Sequence, residues 1–77
     1  MLPPGERLKG EKDLSLEAFQ QYVVLEPEDH TAWYNLGEVL FSITNYDEAL
    51  VACNYSLEIM PDFEEALNLR ERVLSNL

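Results

Sequence analysis

Residues 30–63 read HTAWYNLGEVLFSITNYDEALVACNYSLEIMPDF, with Pro27 just before the stretch and Pro61 near its end. The two prolines stand 34 residues apart. Between them, Trp33, Leu36 and Leu40 recur in steps of three and four, the spacing of one buried helical face. Gly37 interrupts that face. A glycine in an exposed helix interior costs about 1 kcal/mol, so its place here points to a close helix–helix approach. The spacing predicts a helix from Asp29 or His30 to Ile43, with Asp29 as its N-cap. Asn45 followed three residues later by Glu48 has the form of a capping box and predicts a second helix, reaching about Met60. Pro61 stops it, because the residue before a proline avoids the helical region. The short connection between the two makes them antiparallel neighbours.

The same register extends outward in both directions. Thirty-four residues upstream, Asp13 falls on Asp47, Leu16 on Leu50, Ala18 on Ala52, Phe19 on Cys53 and Leu25 on Ile59. Ser15 stands at the place of Ala49, and Gly10 at that of Thr44. Leu16, Phe19 and Val23 share one face of a helix predicted over residues 11–25, which Pro27 ends. The first helix of that partial repeat is expected to be missing, because Leu2-Pro3-Pro4-Gly5 occupies the required place. Downstream, Ala66 falls on Ala32, Leu67 on Trp33 and Leu74 on Leu40. There Leu36-Gly37 becomes Arg70-Glu71, which suits a terminal helix with one face to water. Asp62 and Glu65 repeat the capping-box spacing and predict a last helix over residues 63–75.

The order Trp33-x-x-Leu36-Gly37-x-x-Leu40, then Ala49, Cys53 and Ser56, then Pro61, resembles the tetratricopeptide repeat, whose period is 34 residues. The resemblance implies an all-α fold of antiparallel helical hairpins, a fragment of a right-handed superhelix with about four helices. It divides the chain into a loose segment, 1–10, and a helical domain, 11–77. Within the domain, 11–27 is the second helix of a partial repeat, 30–63 a full repeat and 63–77 a capping helix. Gly37 would lie against Ala49, Trp33, Leu36 and Leu40 between the helices, and Tyr46 at the turn. About three repeats are usually needed to cover such faces. One full repeat with two halves leaves Leu14, Tyr22 and Val24 of the first helix uncovered, a route to a homodimer. A piece of a longer array is a further reading.

A chain of 77 residues, 47% of them apolar, makes one small folded domain. The single cysteine forms no internal disulfide, no apolar run nears the ~20 residues of a membrane helix, and the start lacks the pattern of a signal peptide. A cytoplasmic location is the resulting expectation. The formal net charge is −10. From Asp13 to Leu69 there is no Lys or Arg, against twelve Asp and Glu. Many of these acids belong at helix starts, where carboxylates meet free N–H groups. Their field repels nucleic acid and anionic lipid and attracts basic partners.

Chemistry-bearing groups are sparse. His30 is the only histidine and has no second metal ligand at a workable spacing, so it reads as a solvated helix-start residue. Cys53 falls where the repeat buries an aromatic and has no base near it in sequence, so it reads as a packed, inert thiol. Glu28-Asp29 and Glu64-Glu65 lack the loop spacing of a calcium site. No cofactor, no metal and no enzymatic activity are expected.

The resemblance implies a protein-interaction module, in which first helices of successive repeats line a concave groove for a peptide or helix. On this chain the groove would present Thr31, Tyr34, Asn35, Glu38, Phe41 and Ser42, continued by Glu65, Asn68, Leu69 and Arg72. Members that grip acidic tails use lysines, an arginine and asparagines there. Asn35 matches, but Tyr34, Glu38, Glu65 and Leu69 replace the others. A basic or apolar peptide is therefore expected in preference to an acidic one. The alternative is a structural unit that self-assembles through its first helix, with no separate peptide ligand.

Overall fold

Pro27 acts as its missing N–H dictates: helix α1, over residues 16–25, stops two residues before it. The computed structural model describes residues 16–77, so the predicted loose segment 1–10, the start of α1 at residue 11, and Gly5, Gly10 and Leu14 lie outside them. Three more helices follow: α2 (His30–Ser42), α3 (Tyr46–Ile59) and α4 (Glu64–Ser75). There is no strand among the described residues, and no described helix is long and apolar enough to cross a membrane.

Asp29 caps α2 as predicted: its Oδ1 accepts from the Ala32 N–H at 3.2 Å, supplying a partner to one of the helix's free donors. At the other end the Thr44 N–H donates to the Phe41 carbonyl at 3.0 Å and the Asn45 N–H to the Leu40 carbonyl at 2.9 Å. Those two bonds, with Thr44 at φ 63°, form a Schellman termination in which a threonine occupies the usual glycine position. The three-residue turn folds α3 back against α2, and α4 packs on both.

The two predicted capping boxes do not form. Asn45 is the N-cap of α3, but its side chain accepts nothing from the helix; its Nδ2 instead donates to Glu48 Oε2 at 2.8 Å. The N-cap of α4 is Phe63, not Asp62, and it makes no side-chain cap bond. An apolar residue is retained there because its ring packs on His30 of α2, edge-on at 4.7 Å. His30 is thus half-buried against an aromatic ring and not the solvated residue the sequence suggests.

The core lies where α1, α2, α3 and α4 converge: Val23, Leu36, Leu40, Ala49, Ala52, Cys53, Leu69 and Val73 are buried, with Leu16 and Phe19 packed against them. At Gly37 the helices pack closely. A Cβ there would stand 3.3 Å from Leu69 Cδ2, 3.4 Å from Cys53 Sγ and 3.5 Å from the Ala49 carbonyl oxygen. The expected facing residue, Ala49, is present, but the side chains that hold the space to a glycine are Leu69 and Cys53. Trp33 stacks on Tyr55 with centroids 4.6 Å apart and donates its indole N–H to the Pro27 carbonyl at 2.9 Å. Ser56, fully buried, donates to the His30 carbonyl at 2.8 Å and so ties α3 to the first turn of α2.

Candidate protein-binding surface

Helical spacing puts Tyr34, Glu38 and Phe41 along one edge of α2, and the packing of α4 beside α2 brings Arg72 up to that edge. The Tyr34 hydroxyl donates to Glu38 Oε2 at 2.9 Å, a bond that i, i+4 spacing favours. The Tyr34 ring meets Phe63 edge-on at 5.5 Å. The Arg72 guanidinium lies over the Phe41 ring, 5.4 Å from its centroid, and the other neighbour of that ring is Tyr46 at 5.5 Å. Tyr34 and Phe41 are half-buried, while Glu38, Glu65 and Arg72 are exposed. The result is an aromatic floor edged by carboxylates, with one cation at its far end.

The electrostatics agree with this layout. The Tyr34 phenol is pushed above its usual range, first by burial, then by the hydrogen bond and charge of Glu38, with Glu65 adding and Arg72 opposing. Charges from both helices therefore act on one hydroxyl. On the buried side, loss of water pushes the Cys53 thiol up to about 11, which leaves it protonated and unreactive at neutral pH.

Not all the sequence-predicted groove residues share this surface. Thr31 and Asn35 open toward α1 and line a separate cleft with Phe19, Tyr22, Asp29 and Ala32. Leu69 is corrected outright: it is completely buried against Gly37 and Cys53, because α4 turns that side chain inward to the core. Ser42, at the far end of α2, is exposed and bonds the Val39 carbonyl at 2.8 Å. Asn68 is exposed on α4. Sequence reasoning missed Phe63 as part of the aromatic floor; an aromatic between Pro61-Asp62 and the last helix was the available signal. The cleft beside Phe19 and Tyr22 was missed too, though Tyr22 stood out as an uncovered apolar residue. No group of three His, Cys, Asp or Glu able to hold a metal ion occurs among the described residues.

Among models of known protein families, the tetratricopeptide repeat matches residues 30–63. A search of the curated proteins finds no match.

Proposed function

From a chain that carries a tetratricopeptide repeat at residues 30–63, we propose a non-catalytic interaction module that holds a basic, apolar peptide or helix of a partner protein on the α2–α4 surface. Repeats of this kind typically bind proteins. One observation carries it: Tyr34, Phe41 and Phe63 form a half-exposed aromatic floor beside Glu38 and Glu65. Aromatic side chains are favoured binding anchors. Exposed charge pairs contribute about 0–1 kcal/mol each and act mainly on association rate, so the rings supply most of the affinity. An acidic tail would meet two carboxylates and a single cation.

Fluorescence anisotropy with matched peptides, basic-apolar and acidic, tests the proposal at low and moderate salt. The basic peptide binds more tightly, and Tyr34→Ala with Phe41→Ala removes the binding. Tighter binding of the acidic peptide, or no loss in the double variant, would overturn it. A second reading, self-assembly through α1, is favoured by Val24 and Leu25, which are 77% and 76% exposed, and opposed by the net charge of −10. Sedimentation at high concentration separates the two: a stable dimer supports assembly, a monomer the module.

A further inference from the structure

The 34-residue register allows the two ends of the repeat to be compared position by position. In α3, Ala52, Cys53 and Ser56 face α2 and are only 2%, 0% and 0% exposed. Their counterparts in α1 are Ala18, Phe19 and Tyr22. Ala18 is exposed, Phe19 half-buried and Tyr22 44% exposed. The same holds on the neighbouring helix. Glu65, Ala66 and Leu69 of α4 correspond to Thr31, Ala32 and Asn35 of α2, and where Leu69 is fully buried, Asn35 is half-buried. Phe19, Tyr22, Thr31, Ala32 and Asn35, with Asp29, line one open cleft of about 170 Å³. A cavity of ~150 Å³ takes a benzene-sized group, so the cleft has room for a large apolar side chain. It lies where a helix preceding α1 would pack, against α1 and α2, as α2 packs against α3 and α4.

We infer that this cleft between α1 and α2 is a second docking site, which receives one amphipathic helix of a partner protein, apolar on its inner face and lysine- or arginine-bearing at its edges. The helix takes the place that a helix preceding α1 would hold in the repeat register. In the 34-residue register Leu2-Pro3-Pro4-Gly5 falls on Leu36 to Val39, and its sequence lacks the helical pattern of that stretch, because proline has no N–H and clashes with the preceding turn. A second copy of this chain is disfavoured by charge. Its α1 brings Glu17 and Glu26 against the Asp29 and Glu26 already beside the cleft, with no Lys or Arg from Asp13 to Leu69. Like charges facing one another suppress such pairing, and the same charges favour a basic helix. Phe19 and the Tyr22 ring provide apolar contact, and Thr31 and Asn35 provide hydrogen-bonding groups beside it.

The probe is a capped, labelled peptide with the α2 sequence, His30–Ser42, carrying Thr31→Lys and Glu38→Lys. The control keeps Glu38 and carries Thr31→Glu. Anisotropy gives affinity, and amide shifts of the full chain locate the contact. The lysine peptide should bind at least tenfold more tightly than the control at low salt, with a gap that narrows as salt rises. Shifts should concentrate at Ala18, Phe19, Tyr22, Thr31 and Asn35. Ala18→Lys, at an exposed position, should weaken the lysine peptide at least tenfold with the fold intact. Equal affinity of the two peptides, or no effect of Ala18→Lys, overturns the inference. So does binding with shifts confined to Tyr34, Phe41 and Arg72, which removes this site and leaves the α2–α4 reading standing. A dimer whose interface shifts fall on the cleft assigns it to a second copy and also overturns it.

Discussion

Replacing Gly37 sets two effects against each other, and the structure decides their sign. In an exposed helix interior, glycine to alanine stabilises by about 1 kcal/mol, and glycine to leucine by nearly as much. At Gly37 a Cβ meets Leu69 Cδ2 at 3.3 Å and Cys53 Sγ at 3.4 Å, and both of those residues are fully buried. Alanine requires the end of the Leu69 side chain to give by a few tenths of an ångström, which roughly offsets the propensity gain. Gly37→Ala should therefore change stability by less than about 1 kcal/mol. Leucine adds an isobutyl group where the Ala49 carbonyl oxygen is already 3.5 Å from the Cβ. Overpacking costs about 1–3 kcal/mol, so Gly37→Leu should destabilise by about 2 kcal/mol. With a urea slope of about 1 kcal/mol per molar for so small a domain, the midpoint falls by about 2 M. The single tryptophan, Trp33, stacked on Tyr55, reports the transition by fluorescence. A rise in midpoint for both variants would show Gly37 behaving as an exposed helix glycine and refute the assigned contact.

Thr44→Gly should stabilise, since a β-branched residue at φ 63° is strained by about 1–2 kcal/mol while glycine's extra chain entropy returns about 0.5–1. A thermal melt higher by a few degrees checks it, and a lower melt refutes it. Ser56→Ala should cost about 1 kcal/mol, because it removes the bond from a fully buried hydroxyl to the His30 carbonyl; an unchanged urea midpoint contradicts that. Stability should hold up to about pH 9 and decline toward pH 11. The folded Cys53 thiol keeps its proton up to about 11, whereas the unfolded thiol loses it near 9.0, so the unfolded state binds fewer protons in that window. The raised phenols of Tyr34 and Tyr22 act in the same direction. Urea midpoints at pH 7, 9 and 10.5 measure the decline, and a flat profile would remove the argument. A thiol reagent at neutral pH should label Cys53 slowly in the native protein and rapidly in urea.

What the sequence made legible was whatever repeats. Trp33, Leu36, Gly37 and Leu40 announce a buried face by spacing alone, and Pro27 and Pro61 mark helix ends because a missing N–H acts locally. Asp29 could be read as a cap for the same reason. Legibility failed where a side chain's partner sits on another helix. Asp62–Glu65 has the spacing of a capping box, yet Phe63 takes the N-cap because its ring packs on His30 of α2. The family resemblance puts Leu69 on the open face, at the place that Asn35 holds one repeat earlier. It is buried because α4 packs directly over Gly37, while no described helix occupies the corresponding place beside Asn35. Register transfers positions between repeats, but it does not transfer the neighbour that buries them.

The termination of α4 bears on how the chain behaves when linked to further copies. Inside the molecule the joint between paired helices is Leu36-Gly37, apolar and without a side chain at its tightest point; at the C-terminal end the same register holds Arg70-Glu71, with Glu71 exposed and the Asn76 and Ser75 side chains bonded back to the Arg72 and Glu71 carbonyls. In a linear array, cooperativity depends on the strength of each nearest-neighbour joint. Two copies fused head to tail would meet at that charged joint and melt as independent beads on a string, not as one continuous spring. Restoring Leu and Gly through Arg70→Leu and Glu71→Gly would be the smallest change that lets melting of one copy propagate into the next.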